Sequence, residues 1–307
     1  MKAYLLRLLK GEEDPFKALL EAKEIKERTF GGFIETCAIV NAKSGRCASD
    51  CKFCAQSKFY RTKAPIYPLL PQDELLRRAE EATSKGVDRF SFVTSGISLS
   101  PKEFESLLET IFRIRGEFPE LKLCASLGQL NRESLEALKE AGISRYHHNL
   151  ECAASFYPEI CSRQSWKDRY YTAQRAKEVG LSLCCGGLFG LGEAAEHVLE
   201  FAYTLKDLGP DSVPVNFLHP IAGTPLEGAS FLTPQKALAI LCVLRFVLPE
   251  TAIRVCGGRE FNLRDLQALA LFPANALMVG NYLTTTGRNI ESDKQMILDL
   301  GYESNLR

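Results

Sequence analysis

Phe33-Ile-Glu-Thr-Cys-Ala-Ile-Val40, followed closely by Cys47-Ala-Ser-Asp-Cys-Lys-Phe-Cys54, is the stretch on which the fold turns. The first eight residues form a β-like run released by Gly31-Gly32. The last eight place Cys47, Cys51 and Cys54 in a tight loop directly after it. Structural zinc sites are closed by four ligands, and cubane clusters usually take four thiolates. A four-iron cluster held by three cysteines has one iron left open, and an open iron can hold a small chelating molecule. A zinc knuckle whose fourth ligand lies elsewhere is the alternative, since short cysteine spacings often read as zinc.

Beyond that loop, short apolar runs alternate with longer amphipathic segments. Predicted strands cover 33–40, 89–93, 121–126, 145–150, 182–187, 212–217, 253–256 and 276–279. Helical patterns fall between them at 73–84, 102–115, 132–141, 169–179, 195–208, 234–247 and 263–270. Strict β-α alternation demands a parallel sheet, because each crossover needs a helix. Eight such units predict an α/β fold, a closed (β/α)8 TIM-type barrel, with an open doubly wound sheet as the alternative. Residues 1–30 read as a charged amphipathic helical extension, with Asp14-Pro15 as a helix start. With no low-complexity linker or composition break, residues 1–307 are expected to form a single domain. Function in such a barrel collects at the carboxyl ends of the strands, which is where the cysteine loop falls.

The composition narrows the class of partner. The 307 residues are 46% hydrophobic and carry 38 basic against 38 acidic side chains, so the net charge gives no electrostatic footprint for nucleic acid or an anionic membrane. A small molecule is the expected partner. Eleven cysteines, an odd number, are not preceded by a recognisable secretory leader, and no apolar run approaches the length of a membrane span. The expectation is a cytoplasmic protein whose thiols stay reduced for metal or redox chemistry.

Three further stretches carry chemistry. Gly186-Gly-Leu-Phe-Gly190-Leu-Gly-Glu193 ends the fifth predicted strand, where glycines let a ligand approach the backbone. Its lack of a Gly-Lys-Ser/Thr ending separates it from phosphate loops. In Tyr146-His-His-Asn-Leu-Glu151, period-two alternation puts His147, Asn149 and Glu151 on one face, an amide and a carboxylate suited to ribose hydroxyls or a urea group. His148 and Leu150 take the other face. Cys37, Cys124, Cys184 and Cys256 fall in predicted strands, Cys256 sharing a face with Arg254; together they are candidates for a second, deeper iron–sulfur centre. Cys242 reads as a buried small hydrophobe. Cys185 is expected to face away from Cys184's side, and Cys152 and Cys161 read as surface or lid residues.

The Cys47-x-x-x-Cys51-x-x-Cys54 spacing is similar to the signature of the radical S-adenosylmethionine (SAM) superfamily. Its flanks, Asn41 to Cys47 and Cys54 to Ser57, resemble the biotin synthase family, as do Tyr146 to Glu151, Cys184 to Glu193, Val213 to Glu227 and Arg254 to Glu260. The resemblance runs from residue 30 onward. It implies a (β/α)8 barrel, usually dimeric, that converts dethiobiotin to biotin in two rounds of radical sulfur insertion. A 5′-deoxyadenosyl radical abstracts hydrogen, and an auxiliary cluster supplies sulfur. Heterolytic acid–base chemistry cannot remove an unactivated hydrogen near neutral pH, so the cofactor carries the hard step.

By the same resemblance Cys47, Cys51 and Cys54 hold a [4Fe–4S] cluster with SAM on its fourth iron. Asn149 and Glu151 contact the SAM ribose, and Phe53, Gly187, Gly190 and Glu193 belong to the cofactor's surroundings. His147, Asn149 and Asn216 face dethiobiotin. An electron donor such as flavodoxin or ferredoxin is implied. The usual auxiliary [2Fe–2S] cluster is held by three cysteines and an arginine. Here Cys124, Cys184 and Arg254 match, but Ser91 stands at the second-strand position, and serine is a poor ligand for so soft a site. The expectation is an altered auxiliary cluster, [2Fe–2S] or four-iron, on Cys37, Cys124, Cys184 and one of Cys256, Cys152 or Arg254. A related radical SAM enzyme, either a hydrogenase-cofactor maturase or a methylornithine-type mutase, is the nearest alternative.

Overall fold

The structure, a computed structural model, describes residues 1–307. Nine parallel strands form one sheet: β1 (Glu35–Lys43), β2 (Arg89–Thr94), β3 (Lys122–Ser126), β4 (Arg145–His147), β5 (Ser182–Cys184), β6 (Gly187–Phe189), β7 (Ser212–Phe217), β8 (Ala252–Val255) and β9 (Ala276–Met278). Each pairs with its sequence neighbour except at one point, where β5 and β6 both pair with β7. The strands β5 and β6 are two halves of a single barrel strand, and the β1–β9 pairing closes the ring. The eight-staved closed barrel expected from the alternation is therefore present, and the open sheet is not.

The helices are α1 (Lys2–Lys10), α2 (Pro15–Phe30), α3 (Gln72–Ser84), α4 (Pro101–Glu117), α5 (Arg132–Ala141), α6 (Tyr157–Ile160), α7 (Trp166–Glu178), α8 (Ala195–Leu208), α9 (Pro234–Val247), α10 (Arg259–Leu263) and α11 (Ile290–Asp299). Their starts are written locally. Ser100-Pro-x-Glu103 makes a reciprocal capping box before α4, and Asp14 accepts from Phe16 N at 2.9 Å ahead of Pro15. The single N-terminal helix expected is two, because Gly11 takes φ 76° and stops α1 in a left-handed cap. Ala237 to Arg245 of α9 are all buried. A helix apolar on every side must be covered on every side, and α1, α2, α8 and α10 all pack against α9.

The remaining differences have local causes. β1 is displaced two to three residues toward the cysteine loop relative to expectation. The fifth stave breaks at Cys185-Gly186, where a Cβ on Gly186 would stand 2.1 Å from the Pro214 carbonyl oxygen. β8 stops at Val255, leaving Cys256 just beyond it. The expected 263–270 helix is a 3-10 turn, Arg264–Leu271, following α10.

Candidate active site

The three-thiol loop is shaped by contacts distant in sequence. Gly45 (φ 81°) and Arg46 (φ 53°) turn the chain out of β1 in the left-handed region. Cys47 N donates to Gln56 O at 2.9 Å, and Lys58 N donates to Cys47 O at 2.9 Å. Asp50, inside the motif, is clamped: its Oδ1 accepts from Ser162 N and Arg163 N, each at 3.0 Å, and from Cys161 Sγ at 3.2 Å. Its Oδ2 accepts from Ser162 Oγ at 2.5 Å. Desolvation works against the charge, yet these donors hold the Asp50 carboxyl well below the usual carboxylate range. Lys52 N donates to Ile160 O at 3.0 Å, and Ser49 Oγ lies 3.4 Å from Cys51 Sγ and 3.2 Å from Cys161 Sγ. Cys161, expected at the surface or on a lid, is thus buried behind the loop. Cys152 is buried in the same small apolar cluster and does not line the lumen that Cys37, Cys124, Cys184 and Cys256 share. No three His, Cys, Asp or Glu side chains converge closely enough to hold a single metal ion.

A cavity of about 340 Å³ occupies the barrel lumen. It brings together Phe53 and Cys54 from the loop, His147, Asn149, Glu151 and Asn216 along the wall, and Cys37, Cys124, Cys184, Cys256 and Arg254 deeper in, while Cys47, Cys51, Gly187, Gly190 and Glu193 do not line it. His147, Asn149 and Glu151 all reach the lumen as expected, but the expected strand over 145–150 ends at His147 and Glu151 sits at φ 72°, so the chain's turn and not strand alternation brings the last two in. His148 is turned outward and stacks on Tyr146. Ser91 also faces the lumen, in register with Cys124 on one side and Ile39 on the other. Cys37 pairs with Arg89, one inward-facing layer below Ser91.

The deep end carries charges that the sequence reading missed. Glu35 binds three guanidinium groups: Arg89 Nε at 2.7 Å, Arg145 NH1 at 3.4 Å and Arg254 NH2. Burial opposes its charge, but Arg254, Arg89 and Arg145 hold its carboxyl down to about 2. The signal was available, since a charged residue in a stave covered on both faces needs a buried partner. Burial pushes the Cys37 thiol up to about 12 and raises those of Cys124 and Cys184, so thiols lose protons here only to a strong Lewis acid or cation. Burial also lowers His147 to about 4, so it is a neutral imidazole whose Nδ1 lies 3.4 Å from Cys184 Sγ.

This donor set fits an iron–sulfur centre. Four thiols are soft ligands, and Arg254, 3% exposed, keeps NH1 buried without any hydrogen-bond partner. An orphaned guanidinium N–H among thiols is matched to an anionic group. The mouth fits a polar organic cofactor. Asn149 Oδ1 accepts from Gly186 N at 3.1 Å, and its Nδ2 reaches Glu151 Oε2 at 3.4 Å. Glu151 sits at φ 72°, and Arg169 NH1 pairs with it at 3.3 Å while also binding the Asn149 carbonyl. Asn216 spans from Gly187 O (3.3 Å) to Gly257 N (3.1 Å). Within the glycine-rich turn, Leu188 lines the lumen. Gly187 and Gly190 form its backing, and both Glu193 oxygens accept from the turn's own amides, Gly190 N at 2.8 Å and Leu191 N at 2.6 Å.

Comparison with known proteins agrees with this geometry. Residues 42–205 match the radical SAM superfamily, and residues 214–303 match the Biotin and Thiamin Synthesis associated domain. Over 291 residues the chain is 50% identical to the biotin synthase of Pelotomaculum thermopropionicum, covering 94% of this chain and 90% of that protein. It is 48% identical over 306 residues to that of Citrifermentans bemidjiense, covering 99% and 92%. Among solved structures, methylornithine synthase superposes with a TM-score of 0.84 at 21% identity, covering 97% of this chain and 92% of that one. The FeFe-hydrogenase maturase HydG from Carboxydothermus hydrogenoformans superposes with 0.81 at 20%, covering 99% and 78%. Those two likenesses are of fold, whereas half of all side chains are shared with the biotin synthases. The chain belongs to the biotin synthase family of the radical SAM superfamily.

Proposed function

We propose that this chain converts dethiobiotin to biotin by radical sulfur insertion, acting as one barrel domain over residues 1–307. Cys47, Cys51 and Cys54 hold the [4Fe–4S] cluster, and Asn149, Glu151 and Phe53 hold SAM against it, backed by the turn of Gly187, Gly190 and Glu193. Asn216 and His147 orient dethiobiotin between that mouth and the thiol floor. Cys37, Cys124 and Cys184, with Cys256 or Arg254, hold the auxiliary iron–sulfur cluster. When bound, these groups supply a carbon-centred radical able to take hydrogen from an unactivated position, and the sulfur that replaces it.

The chain's own contribution is placement and exclusion. The observation that carries the reading is the single lumen in which Cys54, Asn149, Glu151, Asn216 and the thiol floor all meet. A neutral His147 gives no proton to a passing radical's surroundings, and the amide of Asn216, fixed at both ends, is pre-set for a urea-like partner. We read the working enzyme as a cytoplasmic homodimer supplied with electrons by a flavodoxin or ferredoxin. No helix is long and apolar enough to cross a membrane.

Anaerobically reconstituted protein given dethiobiotin, SAM and reductant tests the reading by mass spectrometry. Biotin is expected. 5′-Deoxyadenosine without biotin would move the chain to another radical reaction, and a colourless zinc protein without sulfide would end both.

A further inference from the structure

The chain is neutral overall, 38 cations against 38 anions, but not around the three-thiol loop. Residues 44–63 contain five cations, Arg46, Lys52, Lys58, Arg61 and Lys63, and one acid, Asp50. All five cations are exposed, whereas the Asp50 carboxylate is consumed by residues 161–163. That clamp adds a sixth exposed cation, Arg163.

Within this segment lies Phe59, an aromatic ring left 41% exposed. The Arg163 guanidinium stands 4.3 Å from its centroid and Lys58 Nζ 5.3 Å. The patch is tied to the loop at two points: Lys58 N bonds the Cys47 carbonyl, and Arg163 N bonds Asp50, next to Cys51. A cationic surface around an exposed ring, hydrogen-bonded to the backbone of a candidate cluster ligand, is suited to a transient protein contact.

We propose that Lys58 and Arg163, held over Phe59, together with Arg46 and Lys52 exposed on the same three-thiol loop, form the docking face for an acidic one-electron carrier protein. The inference rests on the assignment of the [4Fe–4S] cluster to Cys47, Cys51 and Cys54. A carrier is favoured over a phosphate polymer or membrane because the basic excess is confined to the cluster's shoulder: the rest of the chain holds 32 cations against 37 acids. Interior sites cannot receive a protein, so electrons must enter from outside, and steering by rim charge governs how fast such partners meet.

Reconstituted holoprotein is mixed with reduced flavodoxin, or with dithionite, and bleaching of the visible cluster band is followed by stopped flow. In Lys58→Glu/Arg163→Glu the flavodoxin rate at low salt is expected to fall about ten-fold, while the dithionite rate and the iron content stay at wild type. Wild-type reduction by flavodoxin is expected to slow as salt is raised, and Lys206→Glu, at the far end of α8, to change nothing. Wild-type flavodoxin rates in the double variant overturn the proposal, as does an equal loss in Lys206→Glu. Displacement of flavodoxin by anionic phosphatidylglycerol vesicles with no salt-dependent reduction rate also overturns it. Calorimetric binding of oxidised flavodoxin to the same preparations decides the surface even where dithionite bleaches nothing, a result that counts against the cluster assignment alone.

Discussion

Replacing Asp293 with asparagine tests how the rim of the lumen is held in place. Asp293 is fully buried in α11, and its Oδ2 accepts from Arg259 NH2 at 2.6 Å; Arg259 is 1% exposed. Arg259 also donates to Gln267 at 3.0 Å and to the hydroxyl of Tyr282 at 3.1 Å, and Tyr282 lines the lumen. Burial raises the Asp293 carboxyl despite its partner, whereas Arg259 stays firmly charged. The variant removes the closer of two carboxylates beside a buried guanidinium, Glu260 staying 3.6 Å from Arg259 Nε, so the cost is at most the roughly 3–5 kcal/mol of breaking a buried pair. The asparagine oxygen still accepts one hydrogen bond, returning about 1 kcal/mol. The net loss is at most about 2–4 kcal/mol. At about 0.6 kcal/mol per kelvin for a chain of this size, that lowers Tm by roughly 3–6 °C in differential scanning calorimetry. In Arg259→Met/Asp293→Leu, where both charges go, the loss is expected to be smaller than in either single variant, since a buried pair replaced by apolar groups is often near neutral. A single variant within 1 °C of wild type, or a double variant losing the sum of the singles, would refute the reasoning.

Lys26 gives the opposite sign. Its ammonium is fully buried over the Tyr302 ring at 3.4 Å with no hydrogen-bond partner, and burial lowers it to about 8. The folded chain therefore resists the charge below pH 8, and that deficit fades as pH rises from about 8 toward the unfolded value. Lys26→Met is expected to gain about 1–2 kcal/mol at pH 7 after the lost cation–π contact is discounted, with the gain shrinking by pH 10; equal gains at both pH values in thermal melts would contradict it. For Gly187→Ala, the new Cβ would stand 2.2 Å from the Glu151 carbonyl oxygen and displace the strained residue that lines the mouth. SAM affinity of the reconstituted variant, by equilibrium dialysis, is expected to drop at least ten-fold, and unchanged binding would remove Glu151 from the cofactor site. Cys37→Ala is expected to lose auxiliary-cluster iron and sulfide while retaining the iron of the three-thiol loop; wild-type counts would dismiss Cys37 as a ligand.

What was legible in the sequence is what short-range pattern determines. The alternation of runs set the barrel, the position of Cys47 after the first stave set the face on which the site gathers, and strand alternation turned His147 inward. Contacts across long sequence separations were not legible. Nothing near Asp50 announces that residues 161–163 will bind it, and Glu35, Arg89, Arg145 and Arg254 become one network only when β1, β2, β4 and β8 face one another across a closed barrel. The break at Cys185-Gly186 arises from the approach of the Pro214 carbonyl, and the left-handed backbone of Glu151 from its bridge to Gly187. Both are tertiary constraints imposed on residues whose own preferences do not ask for them.

The clamp on Asp50 bears on the order of events during synthesis. Residues 47–54 leave the ribosome more than a hundred residues before Ser162 and Arg163, the groups that hold the loop in shape. For that interval the nascent chain presents three free thiols on a segment whose geometry is undefined, in a sheet whose closing pair, β1 with β9, does not yet exist. Iron delivered then meets a flexible thiol cluster open to mispairing or adventitious metal. If the three-thiol loop holds the proposed cluster, loading is expected after translation, once the barrel is shut and the clamp on Asp50 has fixed the spacing of the thiols.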